Sequence, residues 1–103
     1  MNKITKQEKE ELINLKIDKI NSNEQYAFQL FKTYYKDNPK DNMKDWKLFD
    51  EKQKKKIVKQ ITKFEDDAFI QQGKQIYGMK VNKIMDFVKE CKHKQLVEFG
   101  IRK

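Results

Sequence analysis

The sequence predicts an all-α protein of about five helices, and three observations support this class. Apolar residues recur at helical spacing along most of the 103 residues, as at Ala27, Phe31 and Tyr34. The chain contains only one proline, so few positions forbid a helix. Helix-capping patterns also stand ahead of the apolar stretches, which is where helices begin.

Two helices are predicted in the first third of the chain. Thr5 and Glu8 have the spacing of a capping box ahead of an apolar series in residues 12–20. Ser22 and Gln25 repeat this start signal, and an aromatic-rich segment follows them. The sequence therefore predicts a helical hairpin, whose second helix carries five aromatic residues.

A boundary is predicted in the polar stretch 36–44. Pro39 does not continue a helix, and Asn38 before it is biased away from the α conformation. We therefore expect the hairpin to form one unit, residues 1–42, and the remainder to form a second unit, residues 43–103.

The second unit is predicted to contain three helices. Asp50 with Gln53 is a capping pattern for the first of them. Asp66 or Asp67 is expected to cap a shorter second helix, and Gly78 is placed to end it as a C′ glycine. A lysine-rich third helix follows, and after it an apolar tail made of Leu96, Val97, Phe99 and Ile101. This order is typical of helix-turn-helix domains, which place the third helix in the major groove of DNA.

The charge of the chain indicates a polyanion partner. The net charge is +8, and residues 73–103 carry eight basic residues against three acidic ones. The alternative is a solvated lysine surface, because the chain has a single arginine and arginine binds phosphate and guanine better than lysine. The predicted DNA contacts are Lys80, Lys83, Lys89, Lys92 and Lys94.

Other classes of protein are disfavoured by the residues present. The single cysteine, Cys91, allows no internal disulfide and indicates a reducing compartment. With His93 as the only histidine, no zinc site is expected, and no set of catalytic residues or phosphate-binding loop is visible. No apolar run approaches the length of a membrane span. We therefore expect no enzyme activity, no cofactor and no membrane contact.

Residues 46–95 resemble a homeobox. Residues 49–54 are similar to the start of its first helix, residues 67–79 to its second helix and turn, and residues 83–92 to its recognition helix. Glu90 stands where that family has the asparagine that reads adenine, and a carboxylate cannot form the same pair of hydrogen bonds. The resemblance therefore implies contacts with the DNA backbone rather than sequence-specific reading.

The combination of a lysine-rich chain, a homeobox-like half and an added helical half also resembles the small homeobox-like accessory subunits of ciliate DNA N6-adenine methyltransferase complexes. This resemblance implies a non-catalytic nuclear subunit that assists methyltransferase-fold partners in engaging DNA. It also implies assembly with protein partners in a hetero-oligomeric complex.

The aromatic helix has two interpretations that the sequence leaves open. Its rings fit either a core or a set of anchors that insert into a partner protein. The residues in question are Tyr26, Phe28, Phe31, Tyr34 and Tyr35. Similarly, the lysine run 52–56 fits either a nuclear import signal or a solvated helix face.

Two rival functions also fit the sequence. The first is a structural accessory subunit of a large assembly, such as a mitochondrial respiratory complex, without nucleic-acid binding. The second is an architectural DNA-bending protein of the HMG-box type, suggested by residues 26–28 and by Trp46-Lys47. The stretch between those two motifs is too short for the middle helix of that fold.

Overall fold

The computed structural model describes residues 3–75, 78 and 80–103, apart from the side chain of Val81. This part of the chain is helical and contains no strand, which confirms the all-α class. No described helix combines the length and apolar character needed to cross a membrane. The helices are α1 (Lys6–Ser22), α2 (Glu24–Tyr34), α3 (Pro39–Leu48), α4 (Glu51–Gln75) and α5 (Val81–Glu98).

The chain divides into two compact units, which we call the central and the terminal unit. The central unit is Ile13–Ile61, and the terminal unit combines Met1–Leu12 with Thr62–Lys103. Helices α1 and α4 therefore contribute residues to both units. The predicted boundary between residues 42 and 43 falls within α3, inside the central unit.

Two predicted helix starts are confirmed as reciprocal capping boxes. The N–H of Glu8 donates to the hydroxyl of Thr5 over 3.1 Å, and the N–H of Thr5 donates to the Glu8 carboxylate over 3.0 Å. Asp50 and Gln53 make the same exchange at the start of α4, over 2.8 and 3.1 Å. Each box provides partners for N–H groups that a helix start leaves unpaired.

The predicted start of α2 at Ser22 is wrong by one residue. Ser22 is the last residue of α1, and its hydroxyl donates to the carbonyl of Asp18. Asn23 caps α2 instead, because its side-chain oxygen accepts the N–H of Tyr26 over 3.0 Å.

Helix α3 occupies most of the stretch 36–44, in which the sequence predicts a boundary between two units. Pro39 occupies the first turn of this helix, where its fixed φ suits the helix and its missing N–H costs nothing. Trp46 lies near the end of α3 and is buried, with its ring centroid 5.7 Å from that of Phe31 in α2. Its indole N–H donates to the side-chain oxygen of Asn21 over 2.9 Å. Trp46 is therefore part of the core of the central unit and does not begin a separate one.

One core cluster holds the central unit together. It combines aliphatic residues of α1 and α4 with the aromatic residues of α2 and α3. Burial of these side chains supplies the main driving force for folding of the unit. The buried members are Ile13, Ile17, Ile20, Ala27, Phe31, Trp46, Val58 and Ile61.

The predicted helix break at Asp66 or Asp67 is wrong, because α4 continues from Glu51 to Gln75 without interruption. The carboxylate of Asp66 does not cap a helix; it forms an ion pair with Lys92 of α5 over 3.0 Å. The turn that the homeobox resemblance requires between its first two helices is thus absent. Ile76, Tyr77 and Met79, which belong to the predicted second helix and its turn, lie outside the described residues.

The terminal unit buries Leu12, Thr62, Ile84 and Leu96. Leu96 was expected in an apolar tail, but α5 extends through it to Glu98. Gly100 has φ +77°, a conformation that costs glycine nothing, and it ends α5 in a Schellman motif. In that motif, the N–H of Ile101 donates to the carbonyl of Leu96 over 2.9 Å, and that of Gly100 to Val97 over 3.0 Å.

Arg102 follows this turn and binds the start of α1. Its Nε donates to one carboxylate oxygen of Glu8 over 2.6 Å and its Nη2 to the other over 2.7 Å. This two-pronged pair is the strong form of a charge-assisted hydrogen bond. Arg102, together with the N–H of Thr5, lowers the pKa of Glu8 from 4.5 to about 2.

This pKa shift predicts a pH-dependent effect of Glu8→Gln on stability. The folded-state pKa of Glu8 lies below its unfolded value, so the stabilisation is complete above the unfolded value and is lost as pH falls toward 2. We expect wild type to exceed Glu8→Gln in unfolding free energy at pH 6, and the difference to shrink between pH 4.5 and pH 2. Urea unfolding across this range measures it. The matched control is Glu10→Gln, an exposed site on the same helix. A difference between wild type and Glu8→Gln that stays constant with pH would contradict the predicted shift.

Candidate nucleic-acid interface

The structure does not gather the five predicted DNA-contacting lysines on one exposed face. Lys80, Lys83 and Lys94 are exposed, and Lys89 is half-buried. Lys92 is only 7% exposed, and its ammonium group is held by Asp66 and by the side chain of Gln95 over 3.0 Å. Its charge is therefore already compensated within the fold.

The outer side of α5 carries balanced charge. One exposed stripe runs along the helix at spacings of three and four residues. It contains two lysines, two carboxylates and a valine, so phosphate would meet repulsion as well as attraction. The members are Lys83, Asp86, Glu90, Lys94 and Val97.

The excess of positive charge that the sequence shows at residues 73–103 is smaller in the terminal unit once the chain is folded. Two of the basic residues after position 73 are paired with carboxylates from other segments, Arg102 with Glu8 and Lys92 with Asp66. The terminal unit as a whole has twelve basic and nine acidic residues, whereas the central unit has twelve basic and seven acidic residues. The larger excess thus belongs to the central unit.

The most concentrated positive charge in the central unit lies on the first turns of α4. Residues 51–61 contain five lysines and one acidic residue, Glu51. Four of the lysines are exposed and share one side of the helix, opposite the buried Val58 and Ile61. Among the described residues, none of the four forms an ion pair or side-chain hydrogen bond. We call this set the α4 lysine face; it consists of Lys52, Lys55, Lys56 and Lys59.

The fifth lysine of this segment has a different environment. Lys54 is half-buried, with its ammonium 5.3 Å from the centroid of the Trp46 ring and 3.3 Å from the side-chain oxygen of Asn21. It thus ties α4 to the core of the central unit. The lysine run 52–56 therefore contains one lysine with a structural role, Lys54, and three that belong to the exposed face. The apolar residues on the opposite side of the helix were the sequence signal for this exposed face.

Four of the five aromatic residues proposed as partner anchors belong to the core of the central unit. Phe31 is 1% exposed, and Tyr26, Tyr34 and Tyr35 are half-buried and pack against the core cluster. Burial also raises the pKa of Tyr35. Phe28 is the exception, since its half-buried ring is not among the residues packed on that cluster.

Phe28 lies instead in an open groove of about 870 Å³ between α2 and α3. Phe28 and Met43 are the apolar residues that line it. We call it the α2–α3 groove. Its other lining residues are Glu24, Gln25 and Gln29 of α2 and Lys40, Lys44 and Lys47 of α3.

The terminal unit has a second groove, of about 450 Å³, between α4 and α5. Ile70, Ile84, Val88 and Leu96 are among its apolar lining residues, and Met85, which is 60% exposed, also lines it. Lysines stand around it, and its one carboxylate, Asp66, is engaged by Lys92. This groove can accept an apolar group near positive charge. Its described lining residues offer no further polar side chain that would select one kind of ligand over another.

Cys91 and His93 are the single cysteine and the single histidine of the chain. Burial raises the pKa of Cys91, which disfavours the reactive thiolate form. The Nδ1 atom of His93 lies 3.2 Å from Nη1 of Arg102 and accepts a hydrogen bond from it, because arginine only donates. Among the described residues, no group of three or more His, Cys, Asp or Glu side chains is arranged to hold a metal ion.

Comparison with models of known protein families, with curated proteins and with solved structures gives no match. Function is therefore inferred from the surfaces of the molecule. The α4 lysine face and the α2–α3 groove both combine exposure with lysines that form no ion pair in the described structure, and both lie in the central unit.

Proposed function

We propose that this protein is a non-catalytic nucleic-acid-binding accessory protein whose α4 lysine face contacts the phosphate backbone. One observation carries the proposal: four exposed lysines without ion pairs share one side of a helix whose opposite side is buried. A helix anchored in this way holds the Cα positions of its lysines in a fixed row. Such a row lowers the entropic cost of binding a regularly spaced polyanion.

The chemistry of this face favours binding without sequence preference. A lysine ammonium is a compact point charge that tolerates many geometries, so it positions a nucleic acid without reading bases. Arg102, the only arginine in the chain, is held by Glu8 in the fold. The planar guanidinium that best matches the two acceptors of guanine is therefore already engaged within the fold.

In this proposal the chain adds backbone contacts to a larger nuclear complex. The partners implied by the homeobox-like accessory-subunit resemblance are methyltransferase-fold proteins, which would supply the chemistry. A modest affinity of the isolated chain is expected, because a few lysine–phosphate contacts give mostly salt-sensitive, non-specific binding.

Replacing the α4 lysine face tests the proposal. We expect the quadruple variant Lys52→Gln, Lys55→Gln, Lys56→Gln and Lys59→Gln to bind a 20-base-pair duplex at least about tenfold more weakly at low salt. Fluorescence anisotropy measures the affinity. Because all four side chains are exposed, circular dichroism and unfolding should remain close to wild type.

A control variant removes the same charge from the terminal unit. It replaces four exposed lysines with glutamine: Lys80, Lys83, Lys94 and Lys103. We expect a change of less than about threefold, because these lysines do not form a concentrated row. Equal losses in the two variants would show that only net charge matters. Absence of duplex binding by the wild-type chain at low salt would favour a purely structural accessory role.

A further inference from the structure

We infer that the α2–α3 groove binds single-stranded nucleic acid, with a base stacked on Phe28 and the backbone following the lysines of α3. The inference rests on the proposed function and specifies it, because it names the form of nucleic acid and a second site. The groove lies wholly within the central unit.

The first argument is that Phe28 has no role in the core. The other aromatic rings of α2 are the ones that pack in or against the core cluster. Phe28 lines a groove in which Met43 is the other apolar residue. A half-buried ring at an open site exposes π surface to which a base can stack. Base–aromatic stacking contributes to binding of every base and requires no particular sequence.

The second argument is the row of cations beside this ring. Lys40, Lys44 and Lys47 are spaced four and three residues apart, so they lie on one side of α3, and all three are exposed. No ion pair engages them in the described structure. The aspartates of α3, Asp41 and Asp45, do not line the groove. A strand whose base reaches Phe28 would thus have its phosphates beside a positively charged helix.

The wall of the groove that α2 forms, across from the lysines of α3, also carries polar residues that can bind a base. Gln25 and Gln29 lie one helical turn apart on α2 and line the groove on the same side as Phe28. Their amides can both donate to and accept from base edges. Glu24 is the one carboxylate that lines the groove, and three lysines outnumber it.

A duplex and an amphipathic helix both fit this groove less well. A duplex stacks its bases on one another, so their faces are not available to Phe28. A helix that docks in a groove requires apolar anchors over several turns, and this groove offers only Phe28 and Met43 as apolar contacts. An aromatic ring beside a lysine row is instead the usual composition of a single-strand site.

Phe28→Ala separates single-strand binding from duplex binding. With the full chain and fluorescence anisotropy, we expect affinity for a 15-nucleotide oligothymidine to fall about fivefold or more. Affinity for a duplex of the same length should change less than about twofold, since the α4 lysine face remains intact. Phe28→Leu, which keeps apolar volume but lacks a π face, should show most of the same single-strand loss and guards against a folding defect.

Two further variants locate the backbone contacts. The triple variant Lys40→Gln, Lys44→Gln and Lys47→Gln should reduce the salt slope of oligothymidine binding by about 2, which is the value for three single-strand contacts. Leu48→Ala is the control, because Leu48 is 83% exposed at the end of α3 but does not line the groove. It should bind like wild type.

The outcomes distinguish this inference from the proposed function. Unchanged oligothymidine binding by Phe28→Ala and Phe28→Leu would overturn the single-strand site, while a loss of duplex binding in the α4 variant would still support the proposed function. Equal losses on both forms of nucleic acid would also overturn it. An acidic amphipathic peptide that binds in a Phe28-dependent manner, without any such effect on oligothymidine, would assign the groove to a protein partner instead.

Discussion

Phe31→Ala is expected to lower the free energy of unfolding by about 3–5 kcal/mol, a large share of the stability of a domain of this size. Phe31 is 1% exposed, and its ring centroid lies 5.7 Å from that of Trp46 and 5.9 Å from that of Tyr35. Its truncation would leave a cavity at the centre of the core cluster. Urea unfolding followed by circular dichroism measures the change.

Phe28→Ala is the control for this prediction, because the two residues lie one turn apart on the same helix. Phe28 is half-buried and does not pack on the core cluster, so its truncation should cost only about 1 kcal/mol. Equal destabilisation by the two substitutions would contradict the assignment of Phe31 to the core and of Phe28 to the groove.

Ala68→Pro is expected to destabilise the protein by about 3 kcal/mol or more. Ala68 is an exposed residue in the interior of α4, where proline removes a backbone hydrogen bond and clashes with the preceding turn. Ala68→Gly is the control and should cost about 1 kcal/mol. Chemical unfolding of both variants measures the difference.

This substitution also tests the continuity of α4 directly. If Asp67 capped a separate helix, residue 68 would occupy the first helical position, where proline is well tolerated. A loss no greater than that of Ala68→Gly would therefore restore the break at Asp66 or Asp67. It would also restore the three-helix arrangement that the homeobox resemblance implies for residues 46–95.

The helix starts that depend on local chemistry could be predicted from the sequence. The capping boxes at Thr5–Glu8 and Asp50–Gln53 involve residues three positions apart, so the sequence contains all of their interacting parts. Pro39 is different, because proline fits both a helix boundary and a first helical turn. In α3, Trp46 packs on Phe31 of α2, and this contact between separate segments was not visible in the sequence.

The predicted break in α4 failed for a related reason. Asp66 and Asp67 are good capping residues, and local preference alone places a helix start there. In the structure, Asp66 pairs with Lys92, which lies 26 positions later in the chain. Only the fold shows that this carboxylate serves a tertiary contact.

The candidate site was only partly predictable. A sum of charge over residues 73–103 pointed to α5, but folding pairs Arg102 with Glu8 and gives the exposed side of α5 as many carboxylates as lysines. The α4 lysine face was foreseeable from the lysine run 52–56, because lysines stood opposite an apolar stripe. The α2–α3 groove was not, since one of its walls is a helix that the sequence did not predict.

The salt dependence of duplex binding tests the central claim most directly, because it counts the phosphates that the protein neutralises. If the four lysines of the α4 lysine face each contact one phosphate, the slope of log K against log salt should become shallower by about 3.6 in the quadruple glutamine variant. The four-lysine control in the terminal unit should keep the wild-type slope. Equal slopes for wild type and the α4 variant would contradict the claim that this face binds the nucleic-acid backbone.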